Sequence, residues 1–260
     1  MTTLSFSDGV AVATLIYYLI CLPLNLAICF RHGTAKASGW RFLLVFSIIR
    51  IIGSISQLVA INQGQGSTAE TIAEVTASLG VSPLLLASLG LVSRLYGSIQ
   101  DSPIGALATR AIRLIQVACA VALILCIVGA TSGNLATLYD QTTLRVGIII
   151  YMAVWVALVL LVLYAVSAVK GGNYEKPLVI ALSISLPILV VRICFSLYRG
   201  FGDHSPGSVL SDPIASTFLS LFLATVEEMA VVLIYVLAGL LLAPLARSTG
   251  ASNSQVGAYS

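Results

Sequence analysis

Apolar residues in this chain come in long unbroken blocks, separated by short segments where charge, glycine and serine collect. The blocks run over 9–30, 42–62, 72–93, 112–131, 145–168, 177–199 and 216–243. Each approaches the ~20 residues that a helix needs to cross the hydrocarbon layer. None shows the two-residue alternation of a membrane barrel strand. The pattern predicts an all-α polytopic membrane protein, a seven-helix transmembrane domain over 1–245 with a disordered tail over 246–260. The third block is the most polar. It holds Glu74, Thr76, Ser78, Gly80 and Pro83, and the proline predicts a kink there.

Composition carries the same message. Hydrophobic residues make up 58% of the chain and charged residues only 9%, against roughly 25% charged in a soluble domain. The N-terminus has no basic leader before its first apolar block, so it reads as a retained signal-anchor.

Charge adds a direction. With seven spans, Arg31, Lys36, Arg41, Arg94, Arg110, Arg113, Lys170, Lys176 and Arg247 share one side, and only Arg145 and Arg199 lie on the other. Asp8, Glu70, Glu74, Asp140, Asp203 and Asp212 fall on the side poor in basic residues. The positive-inside rule then places the N-terminus outside or lumenal and the C-terminus in the cytosol. The formal charge of +3 is a by-product of topology. It points to lipid headgroups as partners, not to nucleic acid. The expected location is a multi-pass protein of the endomembrane system, such as the endoplasmic reticulum, or of the plasma membrane.

The usual soluble chemistries are missing. Cys21, Cys29, Cys119, Cys126 and Cys194 lie in or at the edge of spans, and no pair has Cys-x-x-Cys spacing. The two histidines, His32 and His204, both read as loop residues. No disulfide-stapled outer face, metal site or cofactor is expected from this set.

Candidate chemistry therefore sits among the polar groups that hydrocarbon should not tolerate. Arg50, Arg192, Glu227 and Glu228 all fall inside spans, and such groups face the protein interior or a cavity. Ser47, Arg50, Ser54 and Gln57 recur every three or four residues, which makes one polar stripe on the second helix. Arg192, Ser196 and Arg199 share a face of the sixth, and Glu228 aligns with Tyr235 on the seventh. Adjacent helical residues point about 100° apart, so Glu227 and Glu228 cannot face one partner. One is expected to pair with Arg50 or Arg192, and the other to face a cavity or another helix. Mutual pairing that fixes helix order would explain the cluster. So would a pocket with Arg50, Gln57, Arg192, Ser196 and Tyr235 binding a ligand. Ser93-Arg94-Leu95-Tyr96 ends the third span and reads as an interfacial basic residue beside a tyrosine.

Several stretches resemble a family. Arg31-His-Gly33, Ser38-Gly-Trp-Arg-Phe-Leu43, Phe46-Ser-Ile-Ile-Arg-Ile-Ile-Gly53 and Gln57 look like the opening of a group of fungal seven-helix membrane proteins of unknown function. Gly80-Val-Ser-Pro-Leu-Leu-Leu86 and Leu89-Gly-Leu-Val-Ser-Arg94 resemble its third helix, and Val191-Arg192 and Glu227-Glu228 fit its last two. The resemblance implies a protein of filamentous fungi, sometimes encoded among genes for secondary metabolism, with no activity assigned. In layout the chain is also loosely similar to fungal lipid-translocating exporters and to small membrane-bound terpene cyclases.

Three roles follow as expectations. The first is an accessory protein that binds or moves an apolar small molecule or pathway intermediate, its polar end held by the Arg/Glu cluster. The second is a membrane-embedded isomerase or cyclase with Glu227 or Glu228 as general acid and an arginine orienting the substrate. The third is a seven-helix receptor.

Overall fold

A computed structural model describes residues 6–32, 38–63, 67–97, 103–131, 142–168, 176–201, 219 and 221–242. Lys36, Lys170, His204, Arg247 and the tail over 246–260 lie outside these residues. The described chain is helical without strands: α1 (Phe6–His32), α2 (Ser38–Gln63), α3 (Thr68–Ser78), α4 (Val81–Gly97), α5 (Pro103–Thr131), α6 (Thr142–Ala168) and α7 (Lys176–Phe201). A π-helical segment, Leu221–Val226, then runs into α8 (Glu227–Leu241). Seven helical stretches are long and apolar enough to cross a membrane, with α3 and α4 together forming the third. This is a seven-transmembrane-helix bundle.

The third span is its centre. α4 packs against α2, α5, α6, α7 and α8, and every residue from Val81 to Val92 is buried. The outer helices instead turn large apolar side chains outward, among them Ile20, Phe30, Leu114 and Leu160. Lipid tails are as apolar as leucine, so outward-facing positions must be hydrophobic while small or hydroxylic residues are tolerated at helix contacts. That is why the least hydrophobic-looking block could become the most buried helix.

The break in this span is not where Pro83 led us to expect it. The chain turns at Leu79 and Gly80, between α3 and α4. Pro83 is the third residue of α4, in the first turn, where backbone N–H groups have no intrahelical acceptor and a missing one costs nothing. α3 begins at a capping serine: Ser67 Oγ accepts from the Glu70 N–H at 3.2 Å, the spacing of a Ser-x-x-Glu box.

His32 is likewise no loop residue. It ends α1 and is buried. Its Nε2 lies 3.0 Å from the Gly239 carbonyl and its ring stacks on Trp40, centroids 4.9 Å apart. Arg31 Nη1 donates to the Leu240 carbonyl at 2.9 Å, and Trp40 Nε1 donates to the Tyr235 carbonyl at 3.2 Å. The Arg94 guanidinium lies 5.3 Å from the Trp40 ring centroid and 3.4 Å from His32 Nδ1. The last carbonyls of a helix lack intrahelical donors, and here α1 supplies them to α8. Arg31, His32 and Trp40, which carry part of the family resemblance, thus fasten α1 and α2 to the C-terminal end of α8.

Candidate functional site

Glu228 stands at the centre of the polar cluster and is only 1% exposed. Arg50 Nη2 pairs with its Oε2. Arg192 Nε donates to its Oε1 at 3.1 Å. One carboxylate therefore bridges two guanidiniums, tying α2 to α7 through α8. Arg50 and Arg192 are also buried. Removing one member of a buried ion cluster typically costs about 3–5 kcal/mol, because the remaining charge is left uncompensated.

The helix break completes the arrangement. Arg192 Nη2 donates to the Ala77 carbonyl at 3.2 Å, close to the C-terminal end of α3, where carbonyls lose their helical partners. Arg192 Nη1 donates to Ser196 Oγ at 3.1 Å, and Ser196 returns its hydroxyl to the Arg192 carbonyl. A Cβ on Gly80 would collide with Glu228 Oε1 and lie 2.7 Å from Arg50 Nη2. Only glycine lets the α3–α4 turn approach the ion cluster this closely. Gly53 does a similar service one turn along α2, where a Cβ would meet the Thr76 hydroxyl.

Beside the cluster lies a cavity of about 570 Å³. Arg50, Ser54 and Gln57 of α2, Ala77 of α3 and Arg192 of α7 line it. So do Asp8 and Thr14 of α1, Glu70 and Glu74 of α3, Arg199 of α7 and Thr225 of the π segment. The arginine pair forms the deep end. Asp8 and Glu70, in the first turns of α1 and α3, and Arg199, in the last turn of α7, mark the mouth at the N-terminal face of the bundle. Val10, Ala11, Ala60, Ile61 and Leu221 give the wall an apolar share.

Local structure explains the placement. Ser47, Arg50 and Ser54 share the buried face of α2, as their three- and four-residue spacing requires. The π segment ends immediately before the glutamates. Ala224, on the cavity wall, and Glu228, four residues on, therefore share a face.

The remaining polar residues separate from this group. Glu227 sits with Leu84, Ile188, Leu189, Val231 and its neighbours Arg192 and Glu228, in a crevice without room for a water. Its Oε2 is buried without a hydrogen-bond partner. Neither glutamate lines the large cavity. Tyr235, two turns past Glu228, has its hydroxyl 2.7 Å from Ser88 Oγ and does not line the cavity either. Asn25 Nδ2 donates to Ser47 Oγ at 3.2 Å, joining α1 to α2.

Sequence reasoning missed the Ala77 carbonyl, the contact at Gly80 and the carboxylates at the mouth. Gly80 stands in the sequence as a glycine inside an apolar span, three residues before a proline that is the stronger helix breaker. Asp8, Glu70 and Glu74 were visible as acidic residues on one side of the membrane; only their convergence was hidden. Among the described residues no group of three or more His, Cys, Asp or Glu is placed to hold a metal ion.

Residues 4–245 match the model of a family described as a domain of unknown function, DUF7702. No curated protein and no solved structure matches the chain.

Proposed function

The chain belongs to this family of unknown function, DUF7702, and we propose that it binds a small amphipathic molecule in the cavity beside the Arg50–Glu228–Arg192 cluster. The single observation that carries the reading is the cavity itself: about 570 Å³, mixed in polarity, with two buried arginines on its wall. That volume lies within the range of small-molecule sites, in which a few placed polar groups orient a largely apolar ligand. The polar end would meet Arg50, Ser54 and Gln57, and the apolar part would lie along Ala60, Ile61 and Val10.

The positive-inside bias places the N-terminal face, and with it the cavity mouth, on the outer or lumenal side. The far end is closed by Trp40, Leu43 and Phe46, all fully buried. Moving a ligand across the membrane would therefore require the ion cluster to part. The resemblance to fungal seven-helix proteins suggests a largely apolar intermediate of secondary metabolism with one polar end as the natural ligand. Acid catalysis by Glu227 or Glu228 is not part of this reading, because neither residue lines the cavity.

The test is photolabelling of the purified protein in lipid nanodiscs with a diazirine-bearing decanoic acid. Label should map to the cavity-lining parts of α1, α2 and α3, and Ala60→Trp should abolish it. Equal labelling of the filled and unfilled cavities would sink the reading.

A further inference from the structure

We infer that the ligand of this cavity carries a single anionic group, a carboxylate, that seats against Arg50; the inference rests on the binding reading above and names the ligand class. Several observations converge on it. Arg50 lines the cavity and is 9% exposed. Its guanidinium reaches Glu228 through Nη2, and the side chain keeps 11% of its surface exposed on the cavity wall. A cation on the wall of an intramembrane cavity is costly. A ligand anion that docks against it offsets that cost, which an apolar ligand cannot do.

The side of the cluster that faces the cavity has one polarity. Arg50 and Arg192 are on the wall, whereas both glutamates stand behind them and off it. Ser54, one turn from Arg50, adds a hydroxyl donor, and Gln57 an amide. The guanidiniums can only donate, and the hydroxyl and amide can donate as well, so the matching ligand group accepts hydrogen bonds. Charge-assisted pairing favours an anion over a neutral acceptor, and a planar carboxylate suits the guanidinium fork.

The mouth argues for one negative charge and not two. Asp8, Glu70 and Glu74 line it, with Arg199 the basic residue among them. Counting 1.5 Å per residue, Glu74 and Glu70 sit roughly 5 and 10 Å along α3 from the Ala77 carbonyl that binds Arg192. Three carboxylates on the way in repel a dianion more strongly than a monoanion. The apolar wall then takes the chain of the ligand. A small amphiphilic carboxylic acid meets all of these conditions.

The experiment compares three photoreactive probes with the same chain and different heads: decanoic acid, decanol and decylamine, each bearing a diazirine. Protein is reconstituted in nanodiscs of zwitterionic phospholipid. The acid should label the cavity roughly tenfold more than the alcohol or the amine, the ratio expected of one charge-assisted hydrogen bond. Excess unlabelled decanoic acid should displace it. The decisive variant is Arg50→Gln, which leaves Glu228 paired with Arg192; Arg50→Lys, which keeps the charge but not the guanidinium fork, serves should the glutamine variant fail to fold. A monodisperse, cooperatively melting Arg50→Gln protein should lose the preference for the acid, and Arg50→Lys should weaken it.

Equal labelling by all three heads, abolished by Ala60→Trp, would overturn the carboxylate assignment while leaving the binding site intact. Absence of cavity labelling by every probe would overturn the binding reading itself. Retention of the acid preference in the folded Arg50→Gln variant would overturn the role of Arg50. Displacement by phosphatidylglycerol but not by decanoic acid would overturn a small acid in favour of a lipid headgroup.

Discussion

The carboxylate of Glu228 occupies the space in which a Cβ on Gly80 would stand. Two residues far apart in sequence thus set one limit on each other: the α3–α4 turn can close on the ion cluster only while position 80 is glycine. That turn also leaves the Ala77 carbonyl for Arg192. The break in the central span and the Arg–Glu–Arg cluster are one piece of construction.

Gly80→Ala should therefore be destabilising by about 1–3 kcal/mol, the usual cost of overpacking. Gly9→Ala, where nothing lies within 4 Å of the new methyl, should be neutral or slightly stabilising because alanine is the better helix former. Thermal melts of both variants in detergent check the contrast. Equal melting temperatures would separate the turn from the cluster.

A thermodynamic cycle should show the cluster to be coupled. Arg192→Gln and Glu228→Gln each leave a charged partner behind, so their single costs should exceed what the double variant suggests by about 1–3 kcal/mol. The readout is the free energy of unfolding of the four proteins. Additive costs would mean that the 3.1 Å contact between Arg192 and Glu228 contributes no coupling.

At the opposite end, Trp40→Phe should lose mainly the hydrogen bond from Nε1 to the Tyr235 carbonyl, about 1 kcal/mol. Trp40→Ala, at a fully buried position, should cost about 3–5 kcal/mol through the cavity it leaves. Neither should alter photolabelling of the cavity at the N-terminal face. Loss of labelling in a folded Trp40→Phe protein would show that the two ends communicate.

Tyr235→Phe offers a similar separation. Its hydroxyl meets Ser88 and not the cavity, so the variant should melt slightly lower and bind the decanoic acid probe unchanged. A change in binding at constant stability would place Tyr235 in the site after all.

Orientation can be read chemically. In a Cys194→Ser background, Ala60→Cys on the cavity wall should react with a membrane-impermeant thiol reagent applied to the outer or lumenal side of sealed vesicles of known sidedness. The other four cysteines are buried and should stay silent. Modification only from the cytosolic side would reverse the proposed topology.

Most of the fold was legible because the membrane imposes it. Block lengths, hydropathy and the depth of Arg50 against Glu228 required no knowledge of packing, and the structure brings those two together at the same level. The stripe of Ser47, Arg50 and Ser54 pointed inward for the same periodic reason. The partners of Glu228 were less accessible. Helix periodicity says which way a side chain points but not which neighbouring helix stands there, so Arg50 and Arg192 were equivalent candidates until both proved to be bound. Periodicity also could not distinguish a proline in a first turn from one in a helix interior, which is how the break at Leu79 and Gly80 was displaced to Pro83.

The sequence by itself determined the solvent, the number of crossings and the short list of charges that hydrocarbon must hide. These follow from the cost of exposing polar groups to lipid, which each helix meets on its own. Tertiary structure alone decided that α4 is the centre, that Glu228 is shared, that Glu227 is set apart, and that acidic residues from α1 and α3 meet above two arginines. Those facts depend on which helices touch and at what rotation, and contact between distant segments is a property of the assembled bundle.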